Sequence, residues 1–300
     1  MNGHLGLIHS MLPATVDLRV SVPESHPSAR NLGTERGGSG TIVDPEGYIL
    51  TVHYVTSGAA SITVTLADGE QYPGELAAQD QETGLSLVKI PGRDLPFLRP
   101  SPAEELALGQ PALIVASSGE TGRRVNGGYV TSTESYDGHW EYMLDKTIRL
   151  SAFNPGFGGG TLADFKGRIM GVVSLNLNDI GKFSLAIPIE CYLRHERELK
   201  QHGRVRSRAP RPWLGFYPQS LGGHIVIAGV VPGGPAERSG LREGDIIIRV
   251  ERQEVRSRPE LYRQMWKKRA GERISFRILR DEEALDLDVI SGDRLEFSRH

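Results

Sequence analysis

The sequence predicts a mainly β protein: two successive groups of antiparallel strands, each sized to close a small barrel, then a compact α+β module. Three observations carry this expectation. Short apolar runs alternate with polar residues. The glycines, 36 of them, cluster between those runs, as turns require. Helical spacing takes over only after Pro188. At 300 residues the chain has room for two or three cores.

The elements follow in order. TIVD, a Pro45-Glu46-Gly47 turn and YILTVHYV read as a hairpin. ITVTLADGEQYPGEL holds a second hairpin, with Ile62, Val64 and Leu66 alternating before a turn at Asp68-Gly69, and LSLVKI is a further buried strand. After a looped stretch at 91–110, strands resume with PALIVAS, GGYVTST, KTIRLSAF, GRIMGVVSL and KFSLAIP. IECYLRHERELKQHG then places Ile189, Leu193, Glu196 and Leu199 at helical spacing, with Gly203 as its stop. RVRSRAPRP, carrying Arg204, Arg206, Arg208 and Arg211, reads as a solvated linker. The expected division is 1–190 for the barrels, 191–212 for the helix and basic linker, and 213–295 for the last module.

Composition narrows the chemistry. A formal net charge of -2 gives no reason to expect nucleic acid or an anionic membrane as the main partner. The single cysteine, Cys191, rules out an intrachain disulfide and a Cys-based metal site. The histidines, at 4, 9, 26, 53, 139, 195, 202, 224 and 300, form neither an H-E-x-x-H nor an i, i+4 pair, so no metal and no cofactor is expected. No run reaches the roughly 18 apolar residues of a membrane span. No secretory leader is visible, which reads as cytoplasmic as the chain stands, or extracytoplasmic if a leader has been removed.

GGSGTIVDPEGYILT at 37–51 resembles the opening of the HtrA family of serine proteases, and the likeness continues through ITVTLADG, LSLVKI, NPGFGGGTL and FSLAIPIE. WLGF and VVPGGPAERSGLREGDII resemble the PDZ domain that follows the protease in that family. The resemblance implies a chymotrypsin-like double six-stranded β-barrel followed by one PDZ domain. It also implies positions for a catalytic triad. The family histidine in T-x-x-H-V corresponds to Tyr54, the aspartate of D-L-x-x-x-K to Gly84, and the serine of N-P-G-N-S-G-G to Gly158. A serine triad needs an oxygen nucleophile, an imidazole base and an orienting carboxylate. Gly158 has no side chain, and Tyr54, with an ordinary pKa of about 10, is a poor base at neutral pH. The expectation is therefore a chain with no catalytic residue and no enzymatic activity. Gly156, Phe157 and Gly158 remain as an oxyanion-type loop, and Phe157 either plugs the former specificity pocket or packs against the barrel.

A PDZ domain takes a peptide C-terminus beside a sheet edge, with the carboxylate on backbone N–H groups. By resemblance, Trp213, Leu214, Gly215 and Phe216 form the carboxylate-binding loop, and Leu261 and Met265 the facing helix. The expected partners are protein C-termini or unstructured peptides, and the family's habit of trimerising points to Ile8, Met11 and Leu12 as an oligomer contact. Two functions compete: an inactive peptide-binding scaffold or regulatory subunit, and an active serine endopeptidase or other hydrolase with displaced catalytic groups, for which His53 and Thr161 are the candidates. A chaperone-like holdase is a third reading.

Overall fold

The computed structural model of the protein describes residues 2–101, 106–177 and 183–297. The chain divides into two units, Met1–Glu134 with Lys146–Arg206, and Ser135–Asp145 with Ser207–His300. This differs from the expected division in one respect that matters below: the segment 135–145 belongs with the C-terminal module.

In the first unit, β1 (Thr15–Ser21), β2 (Glu35–Ile42), β3 (Tyr48–Val52), β4 (Ser61–Thr65), β5 (Gln71–Asp80) and β6 (Leu85–Lys89) close a barrel in the order β1-β2-β3-β6-β5-β4. Val16, Leu18 and Val20 of β1 are buried with Ile49 and Leu87, each such side chain contributing about 1.5–3 kcal/mol. The Pro45–Gly47 turn forms as expected because the Asp44 carboxylate accepts from the N–H groups of Glu46 (3.0 Å) and Tyr48 (3.1 Å).

The chain continues through β7 (Pro111–Gly119) and β8 (Gly122–Ser132), a short hairpin of β9 (Tyr136–Gly138) and β10 (Tyr142–Leu144), then β11 (Ile148–Leu150), β12 (Thr161–Asp164), β13 (Ile169–Leu177) and β14 (Phe183–Pro188). Leaving out the hairpin, these strands close a second barrel in the order β11-β14-β13-β12-β7-β8. Ile114, Val130, Leu162, Met170 and Val173 fill it. Polar groups stitch the two barrels. Ser117 Oγ donates to the buried Asp17 carboxylate (2.7 Å), and Arg123 reaches the carbonyls of Thr15 (2.7 Å) and Thr65 (2.9 Å). The expected helix after Pro188 breaks into Glu190–Leu193 and Glu196–His202, stopped by Gly203 in the left-handed region.

The second unit carries β15 (Phe216–Leu221), β16 (His224–Val230), β17 (Ile246–Val250), β18 (Gln253–Glu254), β19 (Arg273–Arg280) and β20 (Glu283–Ile290) in one sheet. Its helix Arg258–Met265 begins where Ser257 Oγ caps it by accepting from the Glu260 N–H, while the Glu260 carboxylate accepts from the Arg256 N–H, one residue before the cap, at 2.8 Å. Leu261, Tyr262 and Met265 on its inner face are buried. Among the described residues no helix is long and apolar enough to cross a membrane, and no group of three or more His, Cys, Asp and Glu is placed to hold a metal. His300 lies outside the described residues.

Two expectations need correction. Met11 is fully buried, packed with Val115 and Ala163 and bordered by Leu7 and Leu12, so it serves this chain's own core and has no surface to offer a second copy. The basic segment is not wholly solvated either: the Arg211 guanidinium sits 4.1 Å from the Trp266 ring centroid and donates to the Met143 carbonyl at 3.3 Å, a cation–π contact that desolvates the arginine. Met11→Ala is expected to lower the stability of the first unit by about 2–4 kcal/mol through the cavity it leaves. Chemical denaturation checks this, and sedimentation should show the assembly state unchanged.

Candidate functional site

The first candidate is the loop that ends at β12. Tyr54 lies on a single helical turn, His53–Thr56, directly after β3. A buried arginine holds that turn: Arg36 donates to the carbonyls of Tyr54 (2.9 Å) and Ser57 (2.8 Å), and to Ser28 Oγ (2.7 Å). Burial lowers the Arg36 pKa from its ordinary value, and a further bond from Nε to the Gly33 carbonyl at 3.1 Å completes the partners of the buried guanidinium. The Gly84 carbonyl accepts from the His53 N–H at 2.8 Å, so the turn at 84 and the turn at 54 are fixed to each other.

From this turn the Tyr54 hydroxyl donates to the Ser174 carbonyl at 2.7 Å, and burial pushes its pKa up to about 12. At that value the phenol stays protonated and takes no proton from a nucleophile near neutrality. The same hydroxyl lies where a side chain at 158 would begin, since a Cβ built on Gly158 collides with Tyr54 Oη. Position 158 is thus filled by a neighbour's phenol. The loop's own polar groups are largely spoken for. The Gly156 N–H turns to Asn154 Oδ1 (3.3 Å), the Phe157 N–H to the Ser117 carbonyl (2.8 Å), and the Phe157 carbonyl accepts from Ser39 Oγ (2.9 Å) and Asn154 Nδ2 (2.9 Å). Phe157 packs against the first barrel: its ring abuts Gly37 of β2, with the Arg19 guanidinium 5.5 Å from its centroid. Thr161 is buried on β12, its hydroxyl bonded to that of Thr41.

The second candidate lies at the entrance to β15. The N–H groups of Leu214, Gly215 and Phe216 converge on one carboxylate, that of Glu141, at 2.9, 2.6 and 3.1 Å. Gly215 makes the convergence possible, because its φ of 79° belongs to the left-handed region that a side chain disfavours. The side chains of Leu214, Phe216, Leu261 and Met265 all enter one buried cluster with Ile225, Ile227 and Phe276. Trp213 stands apart from them, its ring centroid 4.6 Å from that of Phe297 in a tilted contact. What the chain offers at this loop is therefore main-chain donors above an apolar floor. Glu141 was not among the sequence-derived candidates.

Known proteins resemble the chain on both counts. Residues 38–172 match the trypsin-like peptidase domain and residues 212–290 the PDZ domain. A protein of Halomonas elongata named as a probable periplasmic serine endoprotease, DegP-like, is 30% identical over 89% of this chain and 59% of its own length. One of the same name from a Marinomonas species is 31% identical over 84% of the chain and 56% of its own length. The chain thus spans somewhat more than half the length of these relatives. Among solved structures, the HtrA-type protease AlgW with a decapeptide superposes with a TM-score of 0.60 at 28% identity, covering 97% of this chain and 98% of that one. A serine endoprotease from Yersinia pestis, with a TM-score of 0.60 at 24% identity over 97% of each chain, shares the fold.

These comparisons overturn the expectation that the chain is no enzyme. Relatives 30% and 31% identical over most of it are named serine endoproteases. Glycines at 84 and 158 do not exclude catalysis by other groups of the barrels. The expected fold stands: a double six-stranded barrel of the trypsin type followed by a PDZ domain. The packing at 158 gives a direct test. Gly158→Ala is expected to cost about 2–3 kcal/mol alone, and much less on a Tyr54→Ala background. A double-mutant cycle read by urea unfolding measures the coupling. Spectrophotometric titration of the folded protein should also show three buried tyrosines, Tyr54, Tyr192 and Tyr262, still protonated well above their unfolded pKa of about 10, with Tyr54→Phe removing one of them.

Proposed function

Because the chain belongs to the HtrA-type family, with a trypsin-like peptidase domain followed by a PDZ domain, we propose that it acts on polypeptides, its PDZ unit capturing peptide C-termini and its barrel unit serving as the peptidase half. One observation carries the reading: three consecutive N–H groups, of Leu214, Gly215 and Phe216, already hold a carboxylate. A chain terminus presents the same group, and a charge-assisted set of bonds to backbone donors is how it is recognised. Leu261 and Met265, buried with Leu214 and Phe216, make the apolar floor for the last side chain of the peptide. Trp213 and Gly215 set the loop's shape. The AlgW structure described with a decapeptide supports peptide binding in this family.

The peptidase half is supported by the relatives' names. Residue 158 has no oxygen to give, so hydrolysis requires a nucleophile elsewhere in the barrels, a displaced constellation. Thr161 is a poor choice, since its hydroxyl is buried against Thr41. The relatives named periplasmic favour an extracytoplasmic setting.

Peptides with a free C-terminal carboxylate should bind at least roughly tenfold more tightly than their amidated twins, the worth of a charge-assisted bond set. Fluorescence anisotropy on the full chain measures this, and equal affinities would remove the PDZ half of the proposal. A fluorophosphonate probe, followed by peptide mapping, should label a hydroxyl outside residues 154–160. Absence of both labelling and turnover of a denatured protein substrate would remove the peptidase half.

A further inference from the structure

The carboxylate on the Leu214–Phe216 amides comes from the chain itself. Glu141 sits at the tip of the β9–β10 hairpin, between Trp140 and Tyr142, with a φ of 53° in the left-handed region. The hairpin is docked on the helix Arg258–Met265 by side-chain bonds. The Tyr262 hydroxyl donates to the Gly138 carbonyl (2.6 Å) and accepts from the Glu141 N–H (3.2 Å), while Arg258 Nε donates to the Asp137 carboxylate (2.7 Å). Arg294 donates to the Trp140 carbonyl at 3.0 Å, and Met143 enters the same apolar cluster as Leu214, Leu261 and Met265.

The hairpin does not use the sheet edge. β9 and β10 form their own two-stranded ladder, and β15 remains the terminal strand of its sheet. A PDZ ligand contributes both a carboxylate and a strand beside that edge. Here the carboxylate position is filled, while among the described residues no strand pairs with the free edge of β15. Occupation by Glu141 is therefore a partial imitation of a ligand, strong at the terminus and absent along the strand.

We propose that Glu141 is an internal occupant of the peptide-terminus site, so that an incoming C-terminal carboxylate must displace it and lift the 135–145 hairpin from the Arg258–Met265 helix. This rests on the PDZ reading given above. Displacement exchanges one carboxylate for another on the same donors and adds the strand contacts that the hairpin lacks, which gives a peptide its advantage. The left-handed backbone at Glu141 is relieved on release.

The charge state of Glu141 supports a pH dependence. Burial outweighs the three amide bonds and Arg294 and lifts the carboxyl to about 7. The groups around it are Arg294, Arg258, Tyr262, Tyr217, Asp137 and His139. His139, lowered by burial and then by Arg258, is the other group able to titrate nearby. Once ejected into water, Glu141 returns to about 4.3. Protons therefore favour the docked hairpin, and its ejection releases one between about pH 4.3 and 7; an incoming carboxylate buried on the same donors takes up a proton in its turn, so the hairpin's own share is read against a variant without the Glu141 carboxyl.

The test uses the full chain and a panel of fluorescein-labelled decapeptides ending in Val, Leu or Phe, each as free acid and as C-terminal amide. Glu141→Ala should bind the free acids roughly tenfold or more tightly than the unsubstituted protein and leave the amides unchanged. Between about pH 4.3 and 7 the free-acid affinity of the unsubstituted protein relative to Glu141→Gln should rise with pH, because only the former releases the Glu141 proton, whereas a His139 titration common to both would leave that ratio flat. Should Glu141→Ala fail a thermal-unfolding check, Tyr262→Phe, which loosens the hairpin without touching the amides, should give the same direction of change. Equal free-acid affinities in all these proteins, with free acids still preferred over amides, would overturn the internal occupant and leave the PDZ reading intact. Loss of the free-acid preference everywhere would overturn both.

Discussion

A carboxylate taken out of water needs donors, and in the C-terminal unit Glu141 finds three on consecutive residues of one loop. That requirement organises much of the unit. It fixes the backbone at Gly215 in the left-handed region, holds the loop open at the head of β15, and gives the hairpin a defined seat. The surrounding bonds from Tyr262, Arg258 and Arg294 then satisfy the hairpin's carbonyl and carboxylate groups in turn. A polar anchor of this kind is costly if any member is removed, because a buried polar group left unpaired loses its hydration without replacement. The apolar contribution of Met143 adds to it without setting its register.

The barrel unit follows a different logic. There a side chain fills space that the backbone leaves at a glycine. Arg36 holds the turn at 53–56, the turn directs Tyr54 towards β13, and the phenol takes the volume beside Gly158. Because the Ser174 carbonyl accepts its hydrogen bond, the hydroxyl is satisfied as well as buried. The result is a well-packed junction between the two barrels, joined by the Asp17, Ser117 and Arg123 bonds. Any catalytic chemistry in these barrels would have to work around that junction.

Most of the fold was legible because alternation survives wherever a strand is half-buried. The Pro45–Gly47 hairpin, LSLVKI and the strands of the second barrel all announce themselves in this way. β1 escaped notice although Val16, Leu18 and Val20 alternate with Asp17 and Arg19; its polar partners are half the pattern and one of them, Asp17, is buried for the sake of Ser117. At the site, the residue types at 54, 84 and 158 could be read directly, but the packing of Tyr54 beside Gly158 joins positions about a hundred residues apart and has no local signature. Glu141 was invisible for the same reason. A hint was present in Tyr136, His139, Trp140 and Tyr142, an aromatic cluster too rich for a solvated loop, in which Trp140 stacks on Tyr142 while His139 and Tyr136 meet their neighbours edge to face.

The two-segment construction of the C-terminal unit bears on how it can be handled. A fragment cut from the chain at residue 207 would keep the donor loop and the helix but leave behind 135–145. Its amides would meet solvent, and the socket that takes Met143 would lie open. Such an excised piece would report the intrinsic appetite of the loop for carboxylates, stickier and less selective than the intact molecule. If the loop takes peptide termini as proposed, screens for ligands made with the severed piece would over-count partners, and the difference between the two preparations would measure how far the whole chain restrains its own recognition surface.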